Sequence, residues 1–391
     1  MHVEVILHQL LSKSIHQTRL KGLIRVINAV IKSKKLNLSL LGRSFDKQSK
    51  ERSGIRLIDR LLANPFYQDK SIDLYRPICS RVIGIKKHPN IIVDWSSLPN
   101  SQSTTEGGEH CILRASYAAE GRGITLYEEV HSKKKEGNPK VHKFFLKNLQ
   151  SILPEDCCPC ILTDAGFKNP WFKMVSALGW NYVGRIRGLV QYDDGSGFKS
   201  IKNLFIQAGT IPKYLGSYLI AKTNSLKTNV YIYKGKSKGR HKFTKTKKIS
   251  KDKDSKKHGK GHNEPWLLVS SLCGNEFAKR VTKKYKMRMT IEENFRDTKS
   301  TNYGLNLNSN KTIKPKRFVV WLILAALASL IAWIVGYIAE QLNLHFDFQA
   351  NTYKHRRVLS FFYLGCQIIR KKISIPIDFE TIRFCNKRCT S

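Results

Sequence analysis

Apolar residues recur at helical spacing over the first 85 residues of the chain. Within residues 20–31 they stand three or four positions apart, and residues 55–62 repeat the pattern. This periodicity is typical of helices with one apolar face, so residues 1–85 are predicted to form a helical domain. From residue 89 onward the pattern changes to short apolar runs of the kind that form strands.

The elements predicted after residue 89 alternate in type. We expect strands over 91–95, 111–119 and 123–130, a helix over 139–153, a strand over 160–164, a helix over 170–179 and a strand over 182–190. Three strands, a helix, a strand, a helix and a strand make an α/β order with a mixed sheet. The fold class is therefore predicted to be α/β with a ribonuclease-H-like core, whose first part covers 86–192.

Residues 193–275 are predicted to be an inserted, mainly β domain. Its strands are interrupted by the loop 234–260, which holds 13 basic and 2 acidic residues and whose composition is typical of disorder without a ligand. The core is expected to resume over 276–345, with one long helix at 279–299. A C-terminal segment covers 346–391.

A stretch of 22 residues without charge, 318–339, follows the basic residues Lys314, Lys316 and Arg317. Its length and apolarity suit a transmembrane helix. A core helix that is packed on all sides has the same composition. The pattern alone leaves both alternatives open.

The formal net charge of +40 favours a polyanionic partner. The charge is concentrated in separate regions, namely residues 1–85 (net +10), the loop 234–260 (net +11) and residues 279–317 (net +9). Separate basic regions indicate several contacts along one DNA duplex. Arg52, Arg56 and Arg60 share one helix face, so they are predicted to contact DNA, and the alternative is a solvated face of a small bundle.

The nine cysteines are an odd number, and the start of the chain shows no secretory signal pattern. Free thiols in a reducing cytosol are the simple interpretation. The cluster Cys157, Cys158 and Cys160 lacks a second cysteine pair at zinc spacing, so a structural or incidental role is expected.

Two acids each follow a buried strand, Asp94 after residues 91–93 and Asp164 after 160–163. If one helix covers 279–299, then Tyr285, Arg288, Glu292 and Lys299 lie within an arc of about 60° on it. That face would present an acid beside donors for phosphate oxygens. Carboxylates that converge from different elements can hold the two Mg²⁺ ions of DNA phosphoryl transfer, whereas the alternative is an ordinary amphipathic helix.

The set formed by Tyr285, Arg288, Glu292 and Lys299 resembles the tyrosine–arginine–glutamate–lysine signature of the DDE transposases of the insertion sequence 4 family. Similar segments are Ile92-Val93-Asp94-Trp95-Ser96, Thr163-Asp164-Ala165-Gly166-Phe167, Arg185-Ile186-Arg187-Gly188, Glu264-Pro265-Trp266 and Gln349-Ala350-Asn351-Thr352. Within that family, the chain most resembles the transposases of the insertion sequences that border the tetracycline-resistance composite transposon. The resemblance covers essentially the whole chain, and it favours a buried core helix over a membrane span at 318–339.

The resemblance implies a cut-and-paste transposase that binds terminal inverted repeats, cleaves them through a hairpin intermediate and joins them to target DNA. Asp94, Asp164 and Glu292 would bind two Mg²⁺ or Mn²⁺ ions. Tyr285, Arg288, Lys299, Arg185 and Arg187 would contact DNA, and Trp266 would stack on a flipped base unless it is simply a core residue.

The same resemblance implies a homodimer that pairs two transposon ends in the bacterial cytoplasm, associated with the nucleoid and with no membrane. Two other functions stay open from the sequence. One is a catalytically silent or repurposed DNA-binding protein, and the other is a nuclease of the same fold that hydrolyses DNA without joining it.

Overall fold

The computed structural model describes residues 2–45, 50–99, 109–236, 248, 249, 252, 264–350, 352–378, 382 and 384. They group into two units, each described here by itself. Unit 1 comprises Met1–Cys157 and Met289–Ser391, and unit 2 comprises Cys158–Arg288. The predicted basic loop 234–260 lies mostly outside the described residues.

Helices occupy the N-terminal part of unit 1, as the apolar spacing predicted. They are α1 (His2–Leu11), α2 (Gln17–Ser33), α3 (Leu38–Gly42), α4 (Glu51–Ala63), α5 (Pro65–Asp69) and α6 (Ser71–Ile83). Asparagine marks the beginning of two of them, α3 and α5, because its side-chain oxygen can accept from an amide that has no partner in the first turn. Asn64 does this for α5, where its Oδ1 accepts from the N–H of Phe66 at 3.0 Å and Pro65 fills the first helical position.

Three antiparallel strands and one helix follow in unit 1. The strands β1 (Asn90–Ser97), β2 (His110–Ala118) and β3 (Gly123–Ser132) lie in the order β3-β2-β1, and α7 (Pro139–Ile152) contacts α6. The predicted order of three strands and a helix is confirmed.

The C-terminal part of unit 1 contains α10 (Met289–Lys299), α11 (Pro315–Gln341) and α12 (Phe361–Arg370). The helix α11 contains the uncharged stretch, and 89% of its most apolar window is buried inside the protein. It contacts α2, α12 and β3, so it is apolar all round because protein surrounds it. A membrane protein is not indicated.

Two glycines allow α11 and α12 to approach closely. A Cβ atom at Gly336 would lie 1.9 Å from the carbonyl oxygen of Phe361, and one at Gly365 would lie 1.8 Å from that of Ala332. No side chain fits at either position, so the backbones themselves are in contact there.

The described residues of unit 2 form seven strands, β4 (Cys160–Thr163), β5 (Asn181–Ile186), β6 (Gln191–Asp193), β7 (Lys199–Ser200), β8 (Lys213–Ile220), β9 (Leu226–Tyr233) and β10 (Trp266–Ser270). Their order is β4-β5-β10-β9-β8-β6-β7, in which β4 and β5 pair in parallel and the other pairs are antiparallel. The helices α8 (Asn169–Ala177) and α9 (Ala278–Met287) complete the unit. The strands predicted in 193–275 therefore extend the sheet that β4 and β5 begin.

The helix predicted over 279–299 is interrupted at a single residue. The chain forms α9 and α10 with a break at Arg288, whose N–H donates to the carbonyl of Tyr285 at 3.1 Å. This three-residue spacing tightens the last turn of α9 and ends it. The strand predicted over 182–190 is also too long, since β5 ends at Ile186.

Candidate active site

Asp94 follows the buried residues Ile91, Ile92 and Val93 of β1 and is itself half-buried. Its Oδ1 accepts a hydrogen bond from the N–H of Trp95 at 2.9 Å. Because the rest of the strand is locked into the sheet, this bond orients the carboxylate before any ligand binds.

Glu292 stands in the first turn of α10 and is exposed, while neighbouring positions of the same helix, including Ile291 and Phe295, are buried. The helix contacts β1, β2 and β3. Unit 1 therefore brings the helix that carries Glu292 against the strand that carries Asp94.

A buried polar network attaches α10 to the sheet. The guanidinium of Arg114 donates to Glu128 Oε2 at 2.7 Å and to Asn294 Oδ1 at 2.6 Å, and both charged side chains are almost fully buried. Tyr75 donates to the other Glu128 oxygen at 3.0 Å, and Thr125 donates to Asn294 Oδ1 at 3.1 Å. The network thus fixes α10 through Asn294, two residues beyond Glu292.

A second attachment lies further along the same helix. Arg122 binds Asp297 at 2.8 Å and Glu293 at 3.1 Å. Burial raises the pKa of Asp297 to about 6, against the lowering effect of the nearby Arg122. Glu293 therefore serves in an ion pair on another side of the helix from Asn294.

Lys299, at the end of α10, reaches back to the end of β1. Its ammonium group donates to Ser96 Oγ at 2.7 Å and to the carbonyl of Ser97. Burial lowers its pKa to about 8, and the neighbouring charge of Arg114 contributes in the same direction. The predicted phosphate-binding lysine is thus a partly buried cation beside the strand of Asp94.

Asp164 lies in unit 2, directly after the buried strand β4. Its Oδ1 accepts from the N–H of Gly166 at 2.8 Å. A Cβ atom at Gly166 would lie 2.9 Å from this oxygen, so glycine gives the turn the room it needs. A backbone amide therefore orients this carboxylate, as one orients that of Asp94.

Tyr285 is buried at the end of α9 within unit 2. Burial raises the pKa of its hydroxyl group. The positive charges of Arg288 and Arg185 lower this pKa, and the negative charge of Asp164 raises it. These electrostatic effects place Tyr285 close to Asp164 and to two arginines. The helix is interrupted at Arg288, so unit 2 holds Tyr285 and Arg288 while unit 1 holds Glu292 and Lys299. The single arc predicted for these four residues therefore stays a prediction.

Trp266 begins β10 and is half-buried. Its ring meets that of Tyr285 edge to face, with centroids 4.9 Å apart, and that of Tyr233 at 5.7 Å. Aromatic neighbours on this scale hold the indole in place.

Arg185 of β5 and Arg187, just beyond it, both lie near the carboxylate of Glu264, with nitrogen–oxygen distances of 3.9 and 2.6 Å. Glu264 was not predicted as part of a site. The sequence offered a signal for it, since an acid precedes Pro265 and Trp266 directly after a strongly basic loop.

The three arginines of α4 are all exposed: Arg52, Arg56 and Arg60. The same helix also carries Asp59, which pairs with Arg317 at 2.6 Å. The surface is therefore open to a polyanion on the side of the three arginines.

The residues present fit a divalent metal by their chemistry, because Asp94, Asp164 and Glu292 offer the oxygen ligands that Mg²⁺ and Mn²⁺ take. Throughout the described residues, no three side chains of His, Cys, Asp or Glu lie close enough together to hold a metal ion. Unit 1 contains Asp94 and Glu292, and unit 2 contains Asp164.

Arg114, Glu128 and Asn294 were also missed by the sequence analysis. A charged residue in the middle of each of two adjacent strands that are mostly buried is a signal that could have found the first two. Asn294 has no such signal, because its partners lie about 170–180 positions away along the chain.

The comparisons with known proteins bear on this arrangement. The family model of the transposase DDE domain matches residues 85–331, well over half of the chain. No curated protein is matched by the chain. Members of this family are DNA-binding enzymes of transposition that generally use divalent metal ions. The chain belongs to the transposase DDE domain family.

Proposed function

We propose that the protein is a cut-and-paste DNA transposase of the insertion sequence 4 type. It would bind the terminal inverted repeats of an insertion sequence, cleave them by metal-dependent hydrolysis through a hairpin intermediate and join them to target DNA. The observation that carries this proposal is the fixed position of α10 in unit 1. The Arg114–Asn294 and Lys299–Ser96 hydrogen bonds attach the helix that carries Glu292 to β1 and β2, the strand of Asp94 and its neighbour.

Asp94, Asp164 and Glu292 would hold the Mg²⁺ or Mn²⁺ ions. When bound, two such ions stabilise the attacking and the leaving oxygen of an in-line displacement at phosphorus. The backbone N–H groups of Trp95 and Gly166 orient the two aspartates for this role. The protein thus positions the carboxylates in advance, which is its main contribution to phosphoryl transfer.

The basic residues would hold the DNA strand. Lys299 donates from a partly buried ammonium group, and Tyr285 and Arg288 act together from unit 2. Trp266 would stack on a flipped base with its exposed part. The exposed arginines of α4, the loop 234–260 and a second copy of the chain would complete the binding of two DNA ends in the bacterial cytoplasm.

The test uses the purified protein, Mg²⁺ and duplex DNA that carries the terminal inverted repeats bordering its gene. We expect cleavage, an end product with a covalently closed hairpin, and joining to a target plasmid. Each of Asp94→Ala, Asp164→Ala and Glu292→Ala should abolish cleavage and leave DNA binding largely intact. Glu155→Gln changes an exposed acid outside the site and serves as the control.

Each contrary outcome points to a different conclusion. Specific binding by the wild-type protein without cleavage would indicate a silent DNA-binding protein, and cleavage without joining would indicate a nuclease. Normal joining by any of the three alanine variants would show that the assigned carboxylate is not part of the site.

A further inference from the structure

The carboxylate of Glu264 in unit 2 is shared by two arginines. Its Oε2 lies 2.6 Å from Nε of Arg187 and 3.9 Å from Nη2 of Arg185. The first contact is a charge-assisted hydrogen bond, whereas the second is too long to be one. Glu264 therefore accepts a hydrogen bond from Arg187, whereas it only partly neutralises the charge of Arg185.

Arg185 has donors that the described residues of unit 2 do not use. Its Nε and Nη2 atoms are buried and form no hydrogen bond within the part of the chain that the structure describes. Burial also lowers the pKa of this guanidinium, although it does not remove its charge. Buried donors without acceptors are costly and rare in native structures, so they indicate a ligand that completes the site.

The surroundings of Arg185 suit an anion. The positive charge of Arg187 lies close by, and Tyr285, which is itself near Arg288, adds a hydroxyl group. A cavity of about 290 Å³ has both Arg185 and Arg187 in its wall, together with Lys168 and Phe167 from the segment that follows Asp164. Cationic and apolar groups around one cavity match the phosphate and the sugar of a nucleotide.

We propose that Arg185 and Arg187 bind one backbone phosphodiester of the DNA strand beside the cavity that they line, and that the Glu264 carboxylate, which lies near both arginines, competes with the phosphate until DNA displaces it. The inference rests on the proposed function, since it names the part of the DNA that the arginines grip. A phosphodiester has two charged oxygens, so it can accept from Arg187 and from the unused donors of Arg185 together. Glu264 makes a single short contact and is about one-fifth exposed, so water and DNA can reach it.

Displacing Glu264 costs part of the free energy of DNA binding. The inference therefore predicts the direction in which DNA affinity changes when the Glu264 charge is removed. Glu264→Gln keeps the shape of the side chain and removes its charge. We expect this variant to bind end DNA about fivefold more tightly, the effect expected of losing one half-exposed ion pair. The matched control Glu276→Gln removes the same charge from an exposed position of unit 2 and should change affinity less than about twofold.

The experiment measures affinity for a duplex of the bordering terminal inverted repeat, without divalent cations, and confirms by thermal unfolding that the variants fold. A series of duplexes then carries one uncharged methylphosphonate at successive linkages. The gain from Glu264→Gln should disappear at the linkage that the two arginines bind and persist at the others.

Three results would overturn the inference. Weaker binding by Glu264→Gln would mean that Glu264 holds the arginines ready for DNA. Equal gains in both variants would mean a general charge effect, and a gain that survives at every neutral linkage would mean that no phosphate competes with Glu264. Because the readout is binding alone, a protein that binds DNA ends and never cleaves them would refute the proposed function and leave this inference standing.

Discussion

Replacing Arg114 by methionine should destabilise unit 1 more than any surface substitution. The guanidinium is buried between Glu128 and Asn294 at distances of 2.7 and 2.6 Å. Methionine fills a similar volume but leaves the carboxylate of Glu128 buried without its counter-ion. Removing one partner of a buried ion pair costs about 3–5 kcal/mol.

The pH dependence follows from Glu128. Burial raises its pKa in the folded protein, and Arg114 and Tyr75 act in the opposite direction. The loss of Arg114 therefore raises this pKa further. A carboxyl group with a raised folded-state pKa is favoured when protonated, so stability is lost as pH rises from the unfolded pKa to the folded one. Across that window the free energy of unfolding should fall by about 1.4 kcal/mol per pH unit.

Urea titration followed by tryptophan fluorescence at several pH values measures both effects. Arg43→Met is the matched control, because its ion pair with Glu51 is largely exposed and should be worth less than about 1 kcal/mol. In the double variant Arg114→Met/Glu128→Leu no charge is left unpaired, so its loss should be smaller than that of Arg114→Met alone. Additive losses, or a stability that rises with pH, would refute the reasoning.

Three further predictions concern the DNA-binding residues and the core. DNA affinity should fall as pH rises through about 8, where Lys299 in the folded protein loses its proton. The variant Lys299→Arg should lack this inflection in the plot of affinity against pH. An unchanged inflection in the variant would exclude Lys299 as its source. Substituting alanine for the three exposed arginines of α4 should reduce the slope of log affinity against log salt by about 3, and an unchanged slope would show that they contact no phosphate. Gly336→Ala should cost about 3 kcal/mol or more in urea unfolding because its Cβ meets the carbonyl of Phe361, whereas Gly22→Ala, with open space around it, should be neutral or stabilising.

Local sequence patterns predicted those helices and strands whose type depends only on the spacing of apolar residues within the element itself. The apolar runs at β1 and β4 and the helical spacing at α7 correspond closely to the observed elements, because one face or both faces of each must be buried. The break at Arg288 was not predictable in the same way. A single tightened turn leaves apolar spacing helical on both sides, and no glycine or proline marks it.

In the candidate site, too, features within one short segment could be predicted, whereas pairings between residues far apart in the sequence could not. An acid after a buried strand, as at Asp94 and Asp164, is visible in the sequence. The pairing of Glu264 with Arg187 joins residues 77 positions apart, and that of Arg114 with Asn294 joins residues 180 apart. Such pairings depend on strand order and register, which no local pattern specifies.

The burial of α11 has a consequence for the newly made chain. Residues 315–341 are synthesised before α12, the helix whose backbone packs against Gly336. Until α12 docks, the segment has the length and apolarity of a membrane anchor, and the elements made earlier that contact it, among them α2, α5 and β3, cover only part of it. A chain truncated before Phe361 should therefore leave the side of α11 that α12 covers without its partner, so docking of α12 would decide whether this segment folds into the protein or stays available to a bilayer.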